Sequence, residues 1–266
     1  MSIVSPTEKL RLCIDGGVAR VEIANASRRN AFDFEMWKAL PELMARLDAA
    51  EEVRVVLLCA APGLAFCSGA DISEFSTLRA TAAGGRAYEE TNLAAFDALA
   101  RLTKPTIAAI AGFCMGGGMG LAACCDLRIA REDAVFSIPA GRLGVGYPPA
   151  AMAYVTTAAG AQTAMEMFFT ARRLDAKEAH ARGFVAQMLA SAGFEEAVAA
   201  LAACIAANAP LTLRAAKAAI RAALRAPGAP SLEECEALAA ACFDSADFTE
   251  GRTAFLEKRA PKFLGR

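Results

Sequence analysis

Histidine is nearly missing from this chain: His180 is the only one in 266 residues. The nine cysteines include no CxxC pair, so zinc-ligand spacing is absent and no metal is expected. Nine is odd and the thiols are scattered, which argues against a disulfide framework; Cys124 and Cys125 sit in an apolar run and read as buried, reduced thiols. Charge is sparse and balanced, with 21% charged residues and a formal net charge of −1, which excludes a broad basic face for nucleic acid. Between Met1 and Leu12 no basic stretch leads into an apolar one, so a cytoplasmic location without a secretory signal is expected. One uncharged run, Thr106 to Cys125, approaches bilayer-spanning length, but Gly112, Gly116, Gly117, Gly118 and Gly120 break it into strand, turn and short helix. No membrane span is expected there.

What the chain has in abundance is apolar material, 56% of its residues and much of it alanine. That exceeds the usual share of about 45–50%, excludes disorder and predicts a large packed core. Lys9 to Ile14 and Val18 to Ile23 alternate around Asp15-Gly16-Gly17, the pattern of a β-hairpin. Asp33 is placed to cap a helix running to about Ala50. Val53 to Ala60 and Thr106 to Ala111 read as buried strands, and Leu127 to Ala130 and Val135 to Ile138 as shorter ones. Helix is expected between Ile72 and Leu102, interrupted near Gly84-Gly85. From Pro149 the chain is nearly all helical, with breaks at Gly160, Gly183, Gly193, Pro210 and Pro227-Gly228; Val185 to Leu189 is a candidate last strand. The expected fold class is α/β, with a core over residues 1–195 and a helical region over 196–266.

Two segments repeat one physical device. The strand Val53 to Ala60 feeds Phe66-Cys67-Ser68-Gly69-Ala70-Asp71-Ile72, and the strand Thr106 to Ala111 feeds Gly112-Phe113-Cys114-Met115-Gly116-Gly117-Gly118. Both loops leave the carboxyl ends of buried strands, where open α/β sheets bind ligands. Glycine lets main chain approach a ligand, and two N–H donors converging on one oxygen form an oxyanion hole.

With their flanks these segments carry a resemblance. Arg28-Arg29-Asn30-Ala31, Ala65 to Ile72, Lys104 to Gly112, Gly116-Gly117-Gly118 with Cys125-Asp126, Gly141-Arg142-Leu143-Gly144, Phe169 to Arg172, Gly183-Phe184-Val185 and Phe255 to Arg259 occur in that order. The chain resembles the enoyl-CoA hydratase/isomerase (crotonase) superfamily over almost its full length. The resemblance implies a spiral of ββα units with a helical C-terminal trimerisation region, assembled as a homotrimer or a dimer of trimers. It implies an acyl-CoA substrate with no separate cofactor, coenzyme A being part of the substrate. The N–H groups of Ala70 and Gly117 would hold the thioester oxygen as it becomes an enolate. Arg28, Ala70, Asp71 and Ile72 would lie against the adenosine and phosphates, and Phe255 and Lys258 would contact the coenzyme A of their own or a neighbouring subunit.

The chain departs from that pattern in one respect. The family's hydratases add water with two glutamates, and counting from the triple glycine and from Cys125-Asp126 puts these positions at Gly120 and Ala140. Both carboxylates are missing, and a further position used by dienoyl-CoA isomerases falls at Pro148. Each positioned acid or base is worth roughly 10²–10⁴-fold in rate, so hydration by the usual pair is disfavoured. Tyr147 is the candidate substitute, since a phenol can donate a proton to an enolate, against a reading as a rim residue that shapes the pocket. Arg142 is a candidate for a substrate carboxylate or for a buried ion pair. Cys67, Ser68 and Cys114 flank the donor loops but lack a neighbouring histidine and read as packing. Asp71 reads as a brace of its own loop, Glu74, Glu89 and Glu90 as a solvated helix face, and His180 as surface. The expected function is an enzyme that stabilises a thioester enolate, of lyase or isomerase type. The alternative is a CoA-ester-binding oligomer that has lost the chemistry. A dinucleotide oxidoreductase is disfavoured, because no GxGxxG follows a strand with an acidic residue about 20 positions on.

Overall fold

The computed structural model describes residues 3–266. Chain order is β1 (Leu10–Asp15), β2 (Val18–Ile23), α1 (Phe34–Ala49), β3 (Val55–Ala60), α2 (Phe75–Leu78), α3 (Ala82–Ala100), β4 (Thr106–Ile110), β5 (Phe113–Met115), α4 (Gly117–Cys124), β6 (Leu127–Arg131) and β7 (Val135–Ser137). Then follow α5 (Ala140–Leu143), α6 (Pro149–Ala159), α7 (Ala161–Thr170), β8 (Leu174–Asp175), α8 (Ala176–Ala181), β9 (Gln187–Leu189), α9 (Phe194–Ala206), α10 (Pro210–Ala223), α11 (Leu232–Phe243) and α12 (Ala246–Glu257).

A six-stranded sheet runs in the order β1-β2-β3-β4-β6-β9 and a three-stranded sheet in the order β5-β7-β8. Only the β1–β2 hairpin is antiparallel in the large sheet. From β4 on, successive segments give one strand to each sheet, β4 then β5, β6 then β7, which is the expected spiral of ββα units. The strands β3 and β4 read as continuous apolar runs because both faces are covered. Val56 and Leu58 point into the main core with Trp37, Leu40 and Phe96, while Val55, Leu57 and Cys59 meet Phe194, Val198 and Ala202 of α9 on the other face. The division drawn at residue 195 therefore falls inside α9, whose apolar stripe closes the sheet, and the helical region beyond the sheet layer starts at α10.

Local chemistry sets the boundaries. Asp33 caps α1 as expected, its Oδ1 accepting from Met36 N at 2.9 Å. The expected break near Gly84-Gly85 is displaced to Arg79–Thr81, because Thr81 caps α3 and takes Gly84 N on its Oγ1 at 3.1 Å, leaving both glycines inside the first turn. Thr106 to Cys125 resolves into β4, β5 and α4, and among the described residues no single helix is long and apolar enough to cross a membrane.

Candidate active site

The loop after β3 is strapped on both sides. Cys67 pairs with Cys114 and Ala70 with Phe32 as single parallel bridges. Phe32 N donates to Gly69 O and Asp71 N to Phe32 O, each at 2.8 Å. Successive amides of extended chain point to opposite edges, so with Asp71 N–H turned toward Phe32 the Ala70 N–H points the other way. Gly69 permits the approach: its φ is +106°, and a Cβ there would lie 3.1 Å from Met115 O.

The second loop ends in α4. Gly116 N donates to Ser137 O at 2.9 Å, and Gly117 opens the helix, where an N–H has no intrahelical acceptor. Among the described residues neither Ala70 N nor Gly117 N donates a hydrogen bond. They are close: a Cβ placed on Gly117 would sit 3.6 Å from Ala70 N. The same Cβ would meet Trp37 Cζ2 at 2.9 Å, so the indole leaves no room for a side chain there. Two amides side by side without an acceptor among the described residues, one at a helix start, are the arrangement that a negatively charged oxygen requires.

At position 120 the space is taken. A Cβ on Gly120 would lie 2.4 Å from Phe96 Cζ, and Phe96 is held edge-on to Trp37 at 5.5 Å between ring centroids. Ala140 is buried at the start of α5. Tyr147 is half-buried, packs edge-on against Phe168, and places its Oη 3.7 Å from where a Cβ of Gly116 would be. It lines an open cavity of about 500 Å³ together with Arg79, Glu89, Glu90, Leu93 and Val145.

Arg28, Asp71 and Ile72 come together beside this loop. Asp71 Oδ1 accepts from Ser73 N at 2.9 Å and Ser73 Oγ at 2.7 Å, and its Oδ2 faces Arg28 Nε at 3.6 Å. Burial opposes ionisation of Asp71, yet the Ser73 donors and the Arg28 charge together hold its carboxyl below the usual range. Ile72 is 67% exposed. Phe255 and Lys258 are not brought to this cluster: they lie exposed at the end of α12, and no hydrogen bond, salt bridge or shared cavity among the described residues joins them to Arg28, Ala70 or Asp71.

The remaining candidates sort themselves by their contacts. Cys67 and Cys114 are fully buried, and burial pushes the Cys67 thiol up to about 12. Ser68 Oγ donates to Arg28 O at 3.3 Å. Arg142 is exposed and makes no salt bridge among the described residues, which removes the buried ion pair. Glu74 is fixed rather than solvated, its Oε2 accepting Phe34 N at 2.9 Å. Glu89 is also fixed, paired with Arg79. Glu90 and His180 are exposed.

Sequence reasoning missed three features. Asn30 is fully buried with φ +56°; its Oδ1 accepts Asn25 N at 2.9 Å and its Nδ2 donates to Ala65 O at 2.8 Å. It locks the Arg28 turn onto the loop after β3, and its only sequence signal is its place in Arg28-Arg29-Asn30-Ala31. Phe96 gives no local sign that it faces Gly120. Arg79 and Glu89 stand ten positions apart across a helix break, outside any helical spacing.

Comparisons with known proteins agree with one another. A family model described as enoyl-CoA hydratase/isomerase matches residues 14–266. A probable enoyl-CoA hydratase of Mycobacterium leprae is 33% identical over 253 residues, covering 94% of this chain and 96% of its own length. The peroxisomal Delta(3,5)-Delta(2,4)-dienoyl-CoA isomerase of Arabidopsis thaliana is 30% identical over 267 residues, covering 96% of both. The crystal structure of an enoyl-CoA hydratase/carnithine racemase from Magnetospirillum magneticum shares 36% identity, with a TM-score of 0.90 over 98% of this chain and 97% of that one.

Proposed function

Since the chain belongs to the enoyl-CoA hydratase/isomerase family, we propose that it is an enzyme that binds an acyl thioester of coenzyme A and stabilises its enolate. One observation carries this: Ala70 N–H and Gly117 N–H lie side by side, and neither donates a hydrogen bond among the described residues. Removing a proton beside a thioester, or adding a nucleophile to its conjugated double bond, puts negative charge on the carbonyl oxygen. Two fixed donors meet that charge without reorganising, and each is worth on the order of 3 kcal/mol. The dipole of α4 adds to Gly117.

Arg28 and the exposed Ile72 beside Asp71 form the wall for adenosine and phosphate. Phe255 and Lys258 serve the coenzyme A of a neighbouring subunit. The exposed apolar side chains of the C-terminal helices support assembly as a trimer or a pair of trimers: Leu232 is 73% exposed, Phe243 68% and Leu256 75%. Tyr147 is a hydrogen-bond donor to the anion. Hydration by two glutamates is disfavoured, since Gly120 is covered by Phe96 and Ala140 carries no acid; the reactions left are those that share the enolate, namely isomerisation by proton transfer, decarboxylation with loss of CO₂, or hydrolytic C–C cleavage.

The test is exchange of the α-protons of butyryl-CoA in D₂O, followed by NMR, beside turnover of crotonyl-CoA. The wild-type protein is expected to catalyse exchange. Gly117→Ala, which drives a methyl into Trp37 and displaces the amide, is expected to lower it by roughly 10²–10³-fold. Tight binding of several acyl-CoAs without exchange or turnover would instead establish the non-catalytic binder, the reading that the filled position 120 favours.

A further inference from the structure

Enolate chemistry needs a group that takes and returns a proton, and positions 120 and 140 offer none. Tyr147 does not supply the base: burial, and next the nearby Glu89 carboxylate, push its phenol up against the opposing Arg79, so it stays neutral and donates. One carboxylate on the same cavity is both half-buried and fixed. The Glu89 side chain is 20% exposed and pairs with Arg79, which is 12% exposed. Arg79 is clamped in turn, its guanidinium carbon 4.3 Å from the centroid of Phe75 and 4.1 Å from that of Tyr88. Arg79, Glu89 and Tyr147 line one cavity, and Tyr147 Oη reaches the glycine turn beside the paired amides. The other acids are placed otherwise: Glu90 is exposed and Glu74 holds Phe34 N.

We propose that Glu89 is the acid–base residue of the reaction and that Arg79 is its positioning residue, an assignment that rests on the thioester-enolate reading. The Glu89 carboxylate takes a proton from the carbon beside the thioester carbonyl. The C–H electron pair becomes the C=C bond of the enolate, and the carbonyl oxygen takes the negative charge at the Ala70 and Gly117 amides. The resulting carboxylic acid returns the proton to the same carbon or to a conjugated one, with no net oxidation or reduction. Arg79, Tyr88, Arg86, Glu90 and Tyr147 are the titratable and charged groups around it. Burial raises the Glu89 carboxyl above its ordinary value, with the Arg79 charge and hydrogen bond opposing, which moves it toward the range where a carboxylate exchanges protons efficiently.

The experiment is α-proton exchange of butyryl-CoA in D₂O against pH, with Kd for the same ligand from calorimetry. Glu89→Gln is expected to slow exchange by roughly 10²–10⁴-fold with Kd unchanged, and Glu89→Asp to recover part of the rate. Arg79→Met removes the cation that opposes the raised carboxyl, so the low-pH limb of the rate profile is expected to move to higher pH; a merely structural Arg79 would lower stability and leave that limb in place. Full exchange in Glu89→Gln would overturn the assignment while leaving the enolate reading intact. Absence of exchange by the wild-type protein would overturn both.

Discussion

The part of the candidate site built around Ala70 and Gly117 and the part built around Phe96, Ala140 and Glu89 use different groups. The first is main chain. Its two amides are aimed by bonds that Phe32, Ser137 and Phe113 make through their own backbones, so side chains there serve only to leave room, as Gly117 does for Trp37. The second is side chain. It changes character with each residue: an aromatic ring fills position 120, a methyl occupies position 140, and the ionisable groups come from α3 and the turn before it. The main-chain part depends on its residues only for the room that Gly69 and Gly117 leave, while the side-chain part changes its chemistry with each substitution. On the proposed reading, the anion site stays in the main chain while the acid–base group is supplied from α3.

Placing a glutamate at position 120 is the sharpest way to break that contrast. Gly120→Glu alone would press a Cβ within 2.4 Å of the Phe96 ring and bury an unpaired carboxylate. Overpacking typically costs about 1–3 kcal/mol and an uncompensated buried charge about 3–5, so a loss of roughly 4 kcal/mol or more is expected in chemical denaturation. Gly120→Glu with Phe96→Ala opens the space and is expected to be more stable than the single glutamate variant. If the single variant unfolded at the wild-type denaturant midpoint, Phe96 would not be what closes this position.

The same division explains what could be read without a structure. The hairpin at Asp15-Gly16-Gly17, the Asp33 cap and the buried strands were legible because each is a local pattern: alternation, a capping side chain, an unbroken apolar run. The two glycine loops were legible as strand exits, but a glycine turn after a strand is usually only a turn, and only their flanks, read together as a resemblance, singled them out. The break in the helical stretch was misplaced because Thr81 outcompetes Gly84-Gly85 as a boundary: a capping hydroxyl adds a hydrogen bond, and the glycines fit within a helical turn at modest cost. The ion-pair alternative for Arg142 failed because its exposure depends on how the short α5 sits on the surface, which no local pattern in the sequence announces. Phe96 over Gly120 and Arg79 beside Glu89 are contacts between distant segments, and no periodicity announces them.

Asn30 tests how firmly the main-chain part is held. Its side chain satisfies two buried backbone groups, Asn25 N and Ala65 O, and asparagine tolerates the left-handed φ better than most residues do. Asn30→Ala leaves both groups unpaired and is expected to cost about 2–3 kcal/mol in denaturant unfolding. It is also expected to weaken acyl-CoA binding through the loosened Arg28 turn. A stable variant with wild-type affinity would show that the bridges to Phe32 suffice without it.

The smallest effect expected is at Asp71, and its sign depends on pH. The folded carboxyl is depressed by the Ser73 donors and Arg28 despite burial, so its contribution is present above the unfolded value of about 3.9 and is lost as pH falls through the lower folded value. Asp71→Asn keeps the shape and removes the charge. At neutral pH the variant is expected to be less stable than wild type; as the pH drops below that of a free aspartate the two unfolding curves should converge, because protonated Asp71 then offers Ser73 and Arg28 no more than an amide does. A deficit that stayed constant down to the acid transition would place the role of Asp71 in packing, and the Arg28–Asp71 pair would then contribute nothing to fixing the wall on which the ligand is expected to lie.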